Sequence, residues 1–342
     1  MESIIYVVDK NNSALHTAAS SRIKLAGGEI LFANQYKSPL ELLKRIDKEF
    51  SGIVLFCWRK ALIDILYSRK AQNYYKEIKN RFTIIFLIPD HLGIDLKNGV
   101  QEIELIKASD SYLVTNTILY HKYSERYMEL PPAAIYHDLP NLEAIEKVIS
   151  NTSKKDSLKK TIIWIGNSRW GNRQGAYDHK GFKSIIKPLQ HLIHEHDDCF
   201  DFIIIDSHKA SVDNLEVLTL IRNSDILLQV SKSEGTGLPV LEAAGLKTNI
   251  LTTPVGIVPE FFNNTEFLLQ EKSNAEMVHA KLHSNIHKDL GVSLRSQFEF
   301  YVKCISAEKL PSNKRQIELP KTKRLRARVL IHMYWLYRYL LH

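Results

Sequence analysis

Short, continuous apolar runs separated by longer amphipathic segments constrain the fold of this 342-residue chain most strongly. In the first half they read "IIYVV" (4–8), "EILFA" (29–33), "GIVLFC" (52–57), "TIIFLI" (83–88) and "SYLVT" (111–115). In the second half they read "TIIWIG" (161–166), "FDFIIID" (200–206), "DILLQV" (225–230) and "NILTT" (249–253). Unbroken rather than alternating apolar runs belong to strands buried on both faces, as in a parallel sheet covered by helices on each side. The segments between them, such as 40–50 and 60–81, have helical length and spacing. This alternation predicts doubly wound α/β architecture.

The alternation lapses once. "LPPAAIYHDLP" is proline-rich and "SNTSKKDSLKK" is polar without periodicity, so 141–160 reads as a linker between two units of similar size, 1–140 and 161–306. Two such units favour a ligand cleft between them. At 44% hydrophobic and 25% charged residues, the composition is that of a folded globular chain, not a disordered one. Cys57, Cys199 and Cys304 are far apart, and no CxxC or Cys/His cluster carries metal-ligand spacing, which suits a reducing cytoplasm. The opening "MESIIYVVDK" lacks the basic region of a secretory signal, and no stretch has the length of a spanning helix.

The net charge of +8 is local. Residues 309–342 hold nine of the 46 Lys/Arg and one of the 38 Asp/Glu, so the remainder is balanced at 37 of each. A neutral body with a basic tail argues against a nucleic-acid groove and for a surface anchor. In "LRARVLIHMYWLYRYLLH", Leu325, Val329, Leu336 and Leu340 can form one helical stripe, with Trp335 and three tyrosines beside it, and Arg326, Arg328, Arg338 and the preceding Arg324 around it. That pattern fits an amphipathic helix at an anionic membrane interface, through residues 320–342; a terminal helix packed on the body would carry it too.

Chemistry concentrates in "SEGTGLPVLEAAG" (233–245), which follows the run "DILLQV". Pro239 suits the first turn of a short helix, and the Gly235-Thr236-Gly237 turn can present backbone N–H groups at its positive end, where phosphate binds. Glu234 and Glu242 flank that position. Carboxylates beside phosphate repel it unless they accept hydrogen bonds from hydroxyls, as sugars and ribose supply. A glycine-rich turn with solvated acids is the plainer alternative.

The stretch resembles the nucleotide-sugar site of the family 4 retaining glycosyltransferases, which have the GT-B fold: two Rossmann-like domains facing each other across a cleft. The likeness rests on Glu234, Gly235, Gly237, Leu238, Pro239, Glu242 and Ala243, followed by "VGIVPE" (255–260). It implies that Glu234 meets donor-sugar hydroxyls and Glu242 the ribose, while the N–H groups of Thr236, Gly237 and Leu238 hold the distal phosphate. The family also places a strand-ending glycine, an arginine and a Lys-Gly pair at the diphosphate. Here Gly166, Arg169 or Arg173, and Lys180-Gly181 correspond. A family histidine on the acceptor side corresponds to His91, displaced by one position, unless His91 merely caps the next helix. The resemblance implies a metal-independent retaining transferase with no cofactor, since no Asp-x-Asp pair suits a metal. Its donor would be a nucleotide-sugar and its acceptor a glycan, lipid-linked as in lipopolysaccharide, O-antigen or capsule assembly. Residues 307–342 would hold it to the cytoplasmic face of the plasma membrane. A non-catalytic GT-B-like subunit that binds sugar nucleotides is the alternative.

Overall fold

The chain is described by a computed structural model covering residues 3–11, 13–90, 99–127, 133–152, 158–170, 177–262, 268–270, 272–306 and 310. Its strands form two sheets. The first contains β1 (Ile4–Val8), β2 (Glu29–Phe32), β3 (Gly52–Phe56), β4 (Phe82–Ile88), β5 (Ser111–Val114) and β6 (Ala134–Ile135), in the order β2-β1-β3-β4-β5-β6. The second contains β7 (Lys160–Gly166), β8 (Phe200–Asp206), β9 (Ile226–Gln229) and β10 (Asn249–Thr252), in the order β10-β9-β7-β8. Every pairing is parallel. Both sheets are doubly wound, with chain direction across the sheet reversing beside β1 and beside β7. Ligands of such sheets bind beyond the strand C-termini at those reversals.

Helices cover both faces. In the first lobe these are α1 (Ala14–Ala26), α2 (Pro39–Glu49), α3 (Arg59–Tyr67), α4 (Arg69–Ile78), α5 (Gly99–Ala108) and α6 (Thr117–Arg126). They are followed by α7 (Leu142–Asn151), α8 (Lys187–His196), α9 (Asn214–Asn223), α10 (Leu238–Gly245), α11 (Val258–Phe261), α12 (Ala275–Asn285) and α13 (Gly291–Ser306). Alternate strand residues point to opposite faces. Ile5 and Val7 therefore enter one core with Phe56 and Phe86, while Tyr6 and Val8 enter another with Leu55 and Ile85. The second lobe repeats this with Ile163 and Leu227 on one side, Ile162 and Leu228 on the other. This two-sided burial is the physical reason for the unbroken apolar runs.

Two expectations need correction. The helical segment 60–81 is not continuous: Ser68 adopts an extended backbone, ends α3, and accepts a hydrogen bond from the Ala71 N–H as the N-cap of α4. Nor is 141–160 a plain linker. Asn141 caps α7, whose Ile145 and Val148, three residues apart on one face, are buried in the second lobe's core. Charged neighbours hid that stripe in the sequence.

The chain also returns to its starting lobe. Arg22 of α1, buried and stacked 4.0 Å above the Tyr136 ring, donates to the carbonyls of His137 and Ile305, binding α1 to the connector and to the end of α13. Leu310 packs against the first-lobe core that contains Tyr6, Val8 and Leu55. The expected amphipathic helix at 320–342 lies outside the described residues.

Candidate active site

The loop after β9 lies between the lobes. A Cβ on Gly235 would stand 1.7 Å from the Pro89 carbonyl oxygen at the end of β4, so only glycine permits this approach of the two backbones. The Asn116 side-chain amide, after β5, donates to the Gly235 carbonyl. Thr236 donates its hydroxyl to Asp138 at 2.6 Å. Gly237, in the left-handed region at φ +85°, then turns the chain into α10, a conformation side chains oppose. Among the described residues, no acceptor takes a bond from the N–H groups of Thr236, Gly237 or Leu238. Three donors at the positive end of a helix suit an anion.

Lys180 arrives from the other side of the β7–β9 reversal. Asp178 caps the turn before α8, accepting from the Lys183 and Ser184 N–H groups at 2.7 and 2.8 Å. That turn is fastened to the loop after β9: the Lys232 N–H bonds the His179 carbonyl at 2.9 Å, and His179 Nε2 bonds the Ser233 carbonyl at 2.6 Å. The result sets Lys180 Nζ 2.5 Å from Glu234 Oε1, with both side chains mostly buried. Burial works against ionisation of Glu234, yet the Lys180 charge and bonds from Lys180 and Ser231 hold its carboxyl below the usual range. Trp170 completes this wall, its ring 5.2 Å from Lys180 Nζ and 4.7 Å from the His179 ring.

Glu242 has a different environment. It sits within α10, is 5% exposed, and has a long 3.5 Å contact from the Asn214 amide. Burial pushes its carboxyl up to about 7. Such a group gains most from hydroxyls delivered by a ligand. Gly166 ends β7, and the turn beyond it is fixed by Asp206, whose Oδ1 accepts from the Ser168 and His208 N–H groups. The other carboxylate oxygen is buried and has no partner among the described residues.

The structure thus brings Lys180, Glu234, Gly235, Thr236, Gly237, Leu238 and Glu242 to one region at the strand C-termini, with Gly166 opening the neighbouring turn. Arg169 stands exposed on that turn, its backbone N–H donating to Asn167 Oδ1. Arg173 and His91 lie outside the described residues. Asn116, Asp138 and Asp206 were missed by sequence reasoning; only Asn116, polar between a strand run and a helix, left a signal as a cap.

The two doubly wound lobes, their strand ends turned to one cleft, form the GT-B fold. Residues 207–303 match the family model "Glycosyl transferases group 1". That span includes both glutamates and the glycine loop but not Lys180, which joins them through its ion pair. No curated protein sequence matches the chain. Among solved structures it is similar to a sucrose-phosphate synthase from Thermosynechococcus elongatus, with 10% identity and a TM-score of 0.61 over 100% of this chain and 99% of that one. It is also similar to Anabaena HepE in complex with UDP-glucose, with 10% identity and a TM-score of 0.55 over 89% and 100%. An α,α-trehalose-phosphate synthase (UDP-forming) from Burkholderia vietnamiensis gives 8% identity and a TM-score of 0.59 over 89% and 94%.

Proposed function

We propose that this chain is a retaining, metal-independent glycosyltransferase that moves a sugar from a nucleotide-sugar donor to a hydroxyl of a growing, lipid-linked cell-surface glycan. The observation that carries this reading is the Lys180–Glu234 pair beside the open amides of the glycine loop. The "Glycosyl transferases group 1" match over the same loop, and neighbours whose descriptions name UDP and UDP-glucose, support it.

In this reading Glu234 accepts hydroxyls of the donor sugar and Glu242 those of the ribose. The amides of Thr236, Gly237 and Leu238 hold the distal phosphate. Lys180 is then shared between Glu234 and the diphosphate, where negative charge grows as the glycosidic bond breaks. Preformed donors aimed at developing charge are the largest single source of rate in such reactions. Arg169 or Arg173 supplies a second cation. The departing diphosphate itself helps take the proton of an acceptor that attacks from the same face, so configuration is retained. The first lobe supplies the acceptor side, where His91 is the candidate polar group. Residues 320–342 hold the protein to the anionic cytoplasmic face of the membrane.

The test is a panel of UDP-, GDP- and dTDP-sugars, scored for binding and for released diphosphate. One donor is expected to bind and turn over, and Lys180→Ala to lower turnover more than affinity. Binding without turnover in the wild type would favour a non-catalytic sugar-nucleotide subunit. Wild-type rates in the Lys180 variant would remove the proposed site.

A further inference from the structure

A second cluster of functional side chains lies outside the cleft, where α8 and α12 meet. Asp197 ends α8 in an extended conformation, and its Oδ1 accepts the Cys199 N–H at 2.8 Å. This bond fixes the carboxylate and turns Oδ2 toward α12. His279 and His283 are one helical turn apart there and share a face. Their Nε2 atoms lie 2.8 and 2.7 Å from that one oxygen. The two rings meet edge to face at 4.7 Å, and His283 also rests edge-on against Phe200 at 5.1 Å. The three side chains thus converge through one potential ligand atom each, all within 4.8 Å of one another.

We propose that Asp197, His279 and His283 form a binding site for a borderline divalent transition metal of the zinc class. Two imidazoles and one carboxylate make a donor set suited to such an ion. Zinc bonds of about 2.0–2.1 Å place ligand atoms roughly 3.3 Å apart, so each imidazole nitrogen needs to draw back from the Asp197 oxygen by about half an ångström. The imidazoles have room to do so, being 21% and 41% exposed, while Asp197 at 4% stays fixed. The Cys199 N–H is the outer partner that orients the carboxylate, as ligand carboxylates require. Water completes the coordination on the open side.

The site is remote in sequence as well as role. Asp197 precedes His279 by 82 residues, which is why cysteine and histidine spacing gave no sign of it. A metal there fastens α12 to the α8–β8 turn and so stiffens the donor lobe without entering the cleft.

The experiment is calorimetric titration of untagged, full-length protein with zinc, repeated with cobalt while its visible absorption is followed. One ion per chain and a zinc-dependent rise in melting temperature are expected. His279→Gln and His283→Gln should each weaken binding by at least about tenfold, and the double variant should lose the melting shift while retaining wild-type circular dichroism. Cys199→Ser should bind as the wild type does. Absence of saturable uptake by the wild type, unchanged uptake in the folded double variant, or loss of binding in Cys199→Ser would each overturn the assignment.

Discussion

Glu242 and Glu234 stand eight positions apart, and their surroundings drive them in opposite directions. Glu234 is kept ionised by Lys180. Glu242 is desolvated without a charged partner, and its carboxyl rises from 4.5 to about 7. For Glu242 the sign is the reverse of the ordinary acid case. Below about pH 4.5 the group is neutral in folded and unfolded chains alike. As pH climbs toward 7 the unfolded chain ionises first, and the folded state loses stability on the order of 3 kcal/mol by the time both are charged. Glu242→Gln removes that loss but replaces an acceptor with an amide. The variant is therefore expected to melt above the wild type at pH 8 and level with it near pH 4.5, while binding donor more weakly. Urea denaturation at both pH values, with donor titration at pH 8, reads all three. A variant less stable than wild type at pH 8 would contradict the uncompensated burial.

Between elements, Glu260 joins the lobes. It lies on the short helix α11, and its Oε1 accepts the Thr117 N–H at 2.6 Å while its Oε2 meets His137 Nε2 at 2.9 Å. One lobe thus caps a helix of the other, with the carboxylate at the positive end of α6. Burial raises the Glu260 carboxyl, but His137 and the Thr117 N–H outweigh it and hold the group below its usual range. The contribution is present above the ordinary carboxylate range and lost as pH falls below about 4. Glu260→Ala leaves a half-buried N–H and an imidazole without this partner. It should cost about 1–3 kcal/mol in urea denaturation and widen the molecule in small-angle scattering; an unchanged radius with unchanged stability would remove Glu260 from the junction. Such contacts also mark the limit of sequence reading. The strands were legible because burial on both faces leaves an unbroken apolar signature, and the glycine loop because its glutamates and glycines are local. Asn116 reaches Gly235 across 119 residues and Thr236 reaches Asp138 across 98, pairings that no local pattern encodes. The stripe of α7 was masked by its charged neighbours, and Arg169 stands exposed with no carboxylate paired to it among the described residues.

For the whole molecule, the question is where the cleft works. No helix among the described residues is long and apolar enough to cross a membrane. The excess charge lies in 309–342, beyond a balanced body. Leu310, just inside that segment, packs against the first-lobe core that contains Tyr6, Val8 and Leu55, on the lobe proposed to receive the acceptor. An anchor there would hold the acceptor side of the cleft toward a lipid-linked substrate. Residues 320–342 carry Lys321, Lys323, Arg324, Arg326, Arg328 and Arg338; each cation near an anionic surface contributes about 1 kcal/mol, and the attraction is screened beyond about 8–10 Å in physiological salt. The full chain should therefore co-sediment with anionic phosphatidylglycerol vesicles and progressively less as salt is raised. Trp335 and the neighbouring tyrosines should leave a residue of binding that salt does not remove. Deleting 320–342 should abolish both components while leaving donor hydrolysis at the wild-type rate, because the glycine loop, its first-lobe contacts and Lys180 all lie outside the deleted residues. Truncated protein that still sediments with the vesicles would place the membrane contact on the body instead.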